Sequence, residues 1–190
     1  MRSLLIAICA TLISTPVAAQ VPDSPIIRYQ DRIHPQLGAV GMVASQNHLA
    51  SAVGAEILEA GGNAVDAAVA VGFSLAVTLP RAGNLGGGGF MIIHDAESGT
   101  DLAIDYREMA PRAATRDMYL DWKGDADRKR ATFSHLASGV PGTVAGLFKA
   151  HSEFGRLPWK RLLQPAIQQA REGVTMSYDL AQLLRTRKER

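Results

Sequence analysis

The stretch GGNAVDAAVAVGFSLAVTLP, residues 61–80, decides the class of the fold. Asn63 followed three residues later by Asp66 is a typical helix start, and Pro80 ends the helix. A helix that is apolar nearly all round is buried inside a larger body, and about 13 uninterrupted apolar residues are too few to span a bilayer. The sequence therefore predicts a core helix over 63–79. Its few polar residues form a single row: Asp66, Ser74 and Thr78.

The residues before this helix predict a strand and a first helix. Gly41 to Ser45 is a short apolar run of the strand type. Asn47 can cap a helix from His48 to Ala60. The Gly61-Gly62 pair ends this helix, since glycine readily closes a helix in the left-handed conformation.

A glycine-rich segment, 83–89, then leads into two extended runs, Phe90 to His94 and Leu102 to Tyr106. A polar turn separates these runs, so they predict a β-hairpin. Alternation along the second strand places Asp105 and Arg107 on one face. The opposite face of this strand carries Leu102, Ile104 and Tyr106.

Two more helices are predicted after a polar surface segment, 112–130. One opens at Pro141-Gly142 and ends at Gly155. The other covers 158–173, where Pro165 is expected to kink or split it. The order of strand, two helices, hairpin and helices indicates a mixed α and β fold without an internal repeat.

Composition narrows the function classes. The 190 residues are 47% hydrophobic and 20% charged, which is ordinary for a globular chain. The net charge of +2 does not favour nucleic acid or a membrane surface as a partner. The single cysteine, Cys9, excludes an internal disulfide and a thiolate metal site.

The first 19 residues are predicted to be a signal peptide. Arg2 precedes the apolar run Leu4 to Ile13, and the small residues before Gln20 place cleavage after Ala19. A membrane anchor is the alternative, but this run is shorter than the roughly 20 residues of a spanning helix. We therefore expect a periplasmic or secreted protein without membrane attachment after cleavage, in which residues 20–38 form an extended lead-in.

The sequence lacks several familiar catalytic motifs. The glycine run lacks the Lys-Ser or Lys-Thr of a phosphate loop and enters a strand instead of a helix, so close backbone packing is favoured over a nucleotide site. No serine or threonine stands in a nucleophile motif. The histidines have no metal-binding spacing and are expected on the surface or in packing contacts: His34, His48, His94, His135 and His151.

Arg107 is the candidate binding residue. It lies where the second strand runs out towards Pro111, beside the glycine run. A guanidinium there could hold a substrate carboxylate through two parallel hydrogen bonds. Judged by spacing alone, an ordinary salt bridge with Asp105 or Glu108 is favoured over this role.

Four motifs in a fixed order resemble the front of the large subunit of γ-glutamyltranspeptidase, also called glutathione hydrolase. The similarity runs from about Ala39 to the end of the chain. The motifs are GGNAVDAAVA at 61–70, GNLGGGGFM at 83–91, DYREMAP at 105–111 and SHLASGVPGTVAG at 134–146.

The resemblance implies an α+β fold of the N-terminal-nucleophile hydrolase type, an αββα sandwich, of which residues 39–190 are the N-terminal portion of the large subunit. Arg107 matches the arginine that binds the α-carboxylate of the γ-glutamyl group. The glycine run also matches, but it is expected to be structural, because the family's oxyanion-hole glycines lie elsewhere. No metal or organic cofactor is implied.

The family's precursor cuts itself and exposes a threonine at the start of the small subunit. This threonine attacks the γ-glutamyl amide of glutathione or a related compound, and water, an amino acid or a peptide then accepts the γ-glutamyl group. The resemblance places the threonine and the cleavage site beyond Arg190. We therefore expect no catalytic residue in this chain, no turnover by the chain alone, and exposed apolar surface around the helix 63–79.

Two alternatives stay open. Relatives of the same fold act as acylases on glutaryl-type amides, and Arg107 argues against that group because a glutaryl group has no α-amino acid end. The other alternative is a truncated, non-catalytic protein that keeps Arg107 as a carboxylate-binding module.

Overall fold

The computed structural model describes residues 37–187. The predicted signal peptide, almost all of the lead-in and His34 lie outside these residues. The helices and strands are α1 His48–Glu59, α2 Ala64–Thr78, β1 Phe90–Asp95, β2 Thr100–Asp105, α3 Arg128–Phe133, α4 Thr143–Phe154, α5 Trp159–Glu172 and α6 Tyr178–Thr186, with a 3-10 turn at His135–Ala137.

Side-chain caps begin α1 and α2, as the sequence predicts. Asn47 accepts a hydrogen bond from the backbone N–H of Leu49 at 2.9 Å and begins α1. Gly61 follows α1 with φ of 88°, a left-handed conformation in which glycine is not strained. Asn63 and Asp66 exchange hydrogen bonds with each other's backbone N–H, forming a capping box that begins α2.

The α2 helix is the centre of the core, which confirms the prediction for 63–79. It packs against α1 on one side and against α4 and α5 on the other. Its polar row is buried as well: Ser74 is fully buried and donates to Oε1 of Gln169 in α5 at 2.7 Å. The hydroxyl of Thr78 donates to the carbonyl of Ser74 at 3.0 Å. Each buried hydroxyl is thereby satisfied.

The predicted hairpin is present as an antiparallel pair in which Phe90 lies opposite Asp105. Its inner face turns Met91, Ile93 and Ile104 towards the core. Its outer face leaves Phe90 and Ile92 exposed. The alternation predicted for the second strand is confirmed.

Two predictions about elements need correction, and two helices lie where none was predicted. Gly41–Ser45 is not a strand among residues 37–187, because no other described segment pairs with it; Val43 instead packs against Gly54 of α1. Pro165 does not split its helix, since α5 is continuous and anchored by buried Leu162. The short helix α3, within and just beyond the polar segment, and α6 were not predicted.

The described residues form a mixed α and β structure with a single two-stranded sheet. The two-sheet sandwich therefore stays a prediction. Between residues 37 and 187, no helix combines the length and apolarity needed to cross a membrane.

Candidate functional site

Arg107 lies just past the end of β2, in backbone held from both sides. Tyr106 donates its backbone N–H to the carbonyl of Gly89 at 3.0 Å, which extends the pairing of the hairpin beyond β2. The backbone N–H of Arg107 donates to a carboxylate oxygen of Asp105 at 3.0 Å. The Arg107 side chain itself is 67% exposed. The main chain is thus fixed while the guanidinium faces solvent.

The two expected salt-bridge partners of Arg107 behave differently. Asp105 binds the backbone N–H of Arg107 and makes no ion pair with the guanidinium among the described residues. Glu108 places a carboxylate oxygen 4.0 Å from Nε of Arg107, which is too long for a hydrogen bond. An exposed contact of this kind contributes little to stability. The guanidinium therefore keeps its hydrogen-bonding capacity for another group.

A cleft of about 670 Å³ opens beside Arg107. One wall is the segment that follows β2, and the other is the segment that leads towards α4. The two walls are joined by backbone hydrogen bonds between Met109 and Val140, of 3.2 and 2.8 Å. The cleft is wide enough for a small amino-acid derivative. Its polar lining residues are Arg107, Glu108, Thr115, Tyr119 and Ser138.

The glycine run allows close backbone packing under this site, as the sequence predicts. A Cβ added to Gly88 would lie 2.5 Å from the carbonyl oxygen of Tyr106 and 2.7 Å from Cα of Arg107. The carbonyl of Gly87 accepts hydrogen bonds from the backbone N–H groups of Gly142 and Thr143, at 2.7 and 3.0 Å. It thus satisfies N–H groups at the start of α4, where no side-chain cap is present.

The side chain of Asn84 links the glycine run to α4. Its side-chain oxygen accepts a hydrogen bond from the backbone N–H of Gly87 and another from the hydroxyl of Thr143, both 2.8 Å long. The glycine run, α4 and the end of β2 therefore form one connected support for Arg107.

Tyr106, the residue before Arg107, is wedged against α4. A Cβ on Gly146 would overlap the Tyr106 ring, and one on Gly142 would overlap the Tyr106 carbonyl. Partial burial raises the pKa of the Tyr106 phenol above its ordinary value. The sequence motifs contain both glycines, but their contact with Tyr106 depends on the tertiary packing.

The histidines lie on the surface or in packing contacts, where the structure describes them. His94 pairs with Asp101 across the hairpin at 2.8 Å and is exposed. His151 hydrogen-bonds the carbonyl of Leu157 at 2.7 Å and packs against Trp159. Within residues 37–187, no cluster of three side chains suited to metal binding occurs.

Sequence reasoning missed one aromatic residue at the site. Phe90 lies on the outer face of the hairpin, and its ring is under the guanidinium of Arg107. The signal for this contact was present in the predicted hairpin, because strand alternation places both side chains on the same face.

Comparisons with known proteins agree with the motifs. The Gamma-glutamyltranspeptidase family model matches residues 50–190. The glutathione hydrolase proenzyme of Escherichia coli K12 is 52% identical over 172 residues, which cover 89% of this chain and 30% of that protein. The chain therefore spans about a third of the length of this relative.

Solved structures give the same result. The Helicobacter pylori gamma-glutamyltranspeptidase matches with a TM-score of 0.78 at 45% identity, covering 83% of this chain and 45% of that one. A cephalosporin acylase from Bacillus halodurans matches with a TM-score of 0.63 at 25% identity, covering 83% and 30%. The family model covers more than half of the residues, and the chain belongs to the γ-glutamyltranspeptidase family.

Proposed function

We propose that this chain is the N-terminal portion of the large subunit of an enzyme that hydrolyses glutathione and related γ-glutamyl amides or transfers their γ-glutamyl group. The observation that carries the proposal is the guanidinium of Arg107. It lies exposed at a cleft and makes no hydrogen bond to a residue within 37–187. In this proposal it binds the α-carboxylate of the γ-glutamyl group through two parallel hydrogen bonds.

The covalent steps belong to a threonine beyond Arg190. The threonine amine takes the proton of its own hydroxyl, whose oxygen attacks the γ-amide carbonyl. The amine then gives this proton to the amide nitrogen, the C–N bond breaks, and the nitrogen leaves as the amine of the product. Water then cleaves the resulting ester to release glutamate, or an amino acid or peptide takes the γ-glutamyl group. Arg107 touches the α-carboxylate and not the reacting carbonyl. It therefore contributes equally to the binding of the substrate and of the transition state.

The same proposal covers assembly and location. The Escherichia coli relative is named a proenzyme, which supports a small subunit cut from the same precursor. The whole protein would then form the αββα sandwich. The predicted signal peptide supports export to the periplasm or the medium.

The first experiment is to read the gene beyond codon 190 in all three frames. We expect a continuation that supplies a small subunit with an N-terminal threonine. Purified residues 20–190 are expected to release no glutamate from a γ-glutamyl anilide, and release would refute our assignment of the nucleophile. A stop codon with no such continuation would remove the enzyme function from this chain and leave the carboxylate-binding module.

The second experiment tests Arg107 in the full gene product. Hydrogen bonds to charged groups contribute about 1.5–3 kcal/mol each, and two bonds at the lower end, for an exposed guanidinium, give about 3 kcal/mol, so Arg107→Ala is expected to lower kcat/KM about 150-fold, mainly through KM. Arg107→Lys keeps the charge but loses the paired geometry, and we expect an intermediate loss. Arg171→Ala on the exposed side of α5 is the matched control and should leave KM unchanged. An unchanged KM in Arg107→Ala would contradict the proposed role.

An acylase is the second candidate, supported by the match to the cephalosporin acylase. A glutaryl amide differs from a γ-glutamyl amide in lacking the α-amino acid end that Arg107 would bind. Comparison of kcat/KM for the two anilides in the full gene product separates the candidates. We expect the γ-glutamyl anilide to be preferred in wild type and this preference to shrink in Arg107→Ala.

A further inference from the structure

Phe90 is a large apolar residue at a position that the core formed by residues 37–187 does not explain. It is 64% exposed and is not among the residues that pack around α2. An aromatic ring gains little from burial at such a position. Its role therefore depends on its neighbours on the outer face of the hairpin.

The register of the hairpin brings Phe90 next to Arg107. Phe90 lies opposite Asp105, and Arg107 follows Asp105 by two residues on the same face. Diagonal neighbours of this kind are within reach when one side chain is long. The central carbon of the Arg107 guanidinium lies 5.9 Å from the centroid of the Phe90 ring. This distance is within the range in which a cation is attracted to an aromatic face.

A second contact fixes Phe90 relative to the backbone of Arg107. The Tyr106 hydroxyl donates to the carbonyl of Phe90 at 3.4 Å, and Gly89 pairs with Tyr106. Tyr106 is in turn wedged against α4. The ring and the arginine therefore extend from backbone segments that are tied to each other.

We propose that Phe90 is a positioning residue for Arg107, a role that rests on the proposed function of the site. An arginine side chain loses conformational entropy when it is held in one geometry, and an exposed one has many alternatives. Contact with the face of the Phe90 ring restricts the guanidinium to positions over the outer face of the hairpin. The substrate carboxylate then meets a partly ordered partner, which lowers the cost of binding.

The test is steady-state kinetics of the full gene product with a γ-glutamyl anilide. Phe90→Leu keeps an apolar side chain but removes the ring face, and we expect KM to rise about two- to fivefold with kcat unchanged. Phe90→Tyr keeps the ring and should retain the wild-type KM. Ile92→Ala is the matched control, because it shortens an apolar side chain on the same face of β1, two residues from Phe90. It should leave KM unchanged.

A double-mutant cycle separates positioning from general structural damage. In an Arg107→Ala background the guanidinium is absent, so Phe90→Leu should have no further effect on KM. Phe90→Trp keeps a larger ring and provides a second variant should Phe90→Leu fold poorly, and its KM should equal or fall below that of wild type. An unchanged KM in Phe90→Leu, an equal rise in Ile92→Ala, or a full effect of Phe90→Leu without Arg107 would each overturn the inference.

The same data distinguish this inference from the proposed function. If Arg107→Ala leaves KM unchanged, the proposed function fails and the role of Phe90 fails with it. If Arg107→Ala raises KM while Phe90→Leu does not, the binding role of Arg107 stands and only the positioning role is lost.

Discussion

At the scale of single residues, the backbone before Arg107 is held by glycines. Gly146 and Gly142 of the α4 region leave room for the ring and the carbonyl of Tyr106, and Gly88 leaves room for the same carbonyl from the other side. Side chains at these positions would occupy the space of Tyr106. The position of Arg107 therefore depends on residues that make no polar contact with it.

Gly146→Ala is expected to destabilise the protein although alanine favours helices by about 1 kcal/mol over glycine. The added Cβ would overlap the Tyr106 ring, and overpacking of this kind costs about 1–3 kcal/mol, so a net loss should remain. The midpoint of urea unfolding measures it. Gly86→Ala is the control, because a Cβ there meets no atom within 4 Å and the residue does not have a positive φ. Stability of Gly146→Ala equal to or above that of wild type would contradict the packing argument.

For Asp66, the sequence predicts the local role but not the tertiary contacts. The spacing from Asn63 predicted its role in beginning α2, because a cap is a contact between near neighbours in sequence. Its complete burial and its hydrogen bonds from the backbone N–H groups of Arg156 and Leu157, of 3.0 to 3.3 Å, were not predictable. Those partners lie about 90 residues away in the sequence, so only the tertiary fold brings them next to Asp66. The cleft beside Arg107 was not predictable for the same reason, because its two walls come from segments that are separate in the sequence.

At the scale of elements, the predictions hold where residues nearby in sequence fix the end of a helix or the pairing of a hairpin. The ends of α1, α2 and α4 follow from capping residues and glycines within a few positions. The segment Gly41–Ser45 has the composition of a strand, but a strand also needs a partner, and none of the described residues supplies it. The α5 helix continues through Pro165 because burial of residues on both sides of it, Leu162 and Ala166, outweighs the lost hydrogen bond.

The contact between α2 and α5 provides a prediction at this scale. Ser74 and Gln169 form a 2.7 Å hydrogen bond, and Ser74 is fully buried. A double-mutant cycle with Ser74→Ala and Gln169→Ala should show a coupling of about 0.5–1.5 kcal/mol in the free energy of unfolding. Gln168→Ala removes an exposed contact to Glu172 on the same helix and should add to Ser74→Ala without coupling. A coupling near zero between Ser74 and Gln169 would show that their hydrogen bond does not stabilise the contact between α2 and α5.

At the scale of the whole molecule, the described residues place much apolar surface in contact with solvent. The exposed side chains lie before α1, in the glycine run, on the outer face of the hairpin and beyond it. A prominent subset is Leu37, Val40, Met42, Leu85, Phe90, Ile92 and Met109. The sequence predicts exposed apolar surface around the helix 63–79, and this location is wrong: α2 is largely buried, and the exposed large apolar side chains lie on other segments. The prediction of a two-sheet sandwich came from the family resemblance, and it needs strands that residues 37–187 do not contain.

Purified residues 20–190 are therefore expected to self-associate and to bind a hydrophobic dye such as ANS. Contiguous exposed apolar patches and unpaired strand edges favour association, and β1 combines exposed Ile92 with one edge that no described strand covers. Ile92→Lys should lower the apparent mass in sedimentation velocity at a given concentration. Gln168→Lys adds the same charge at an exposed polar position on α5, so a smaller effect there assigns the change to lost apolar surface. A monomeric wild-type chain over the whole concentration range, or equal effects of the two lysines, would show that this face does not drive association.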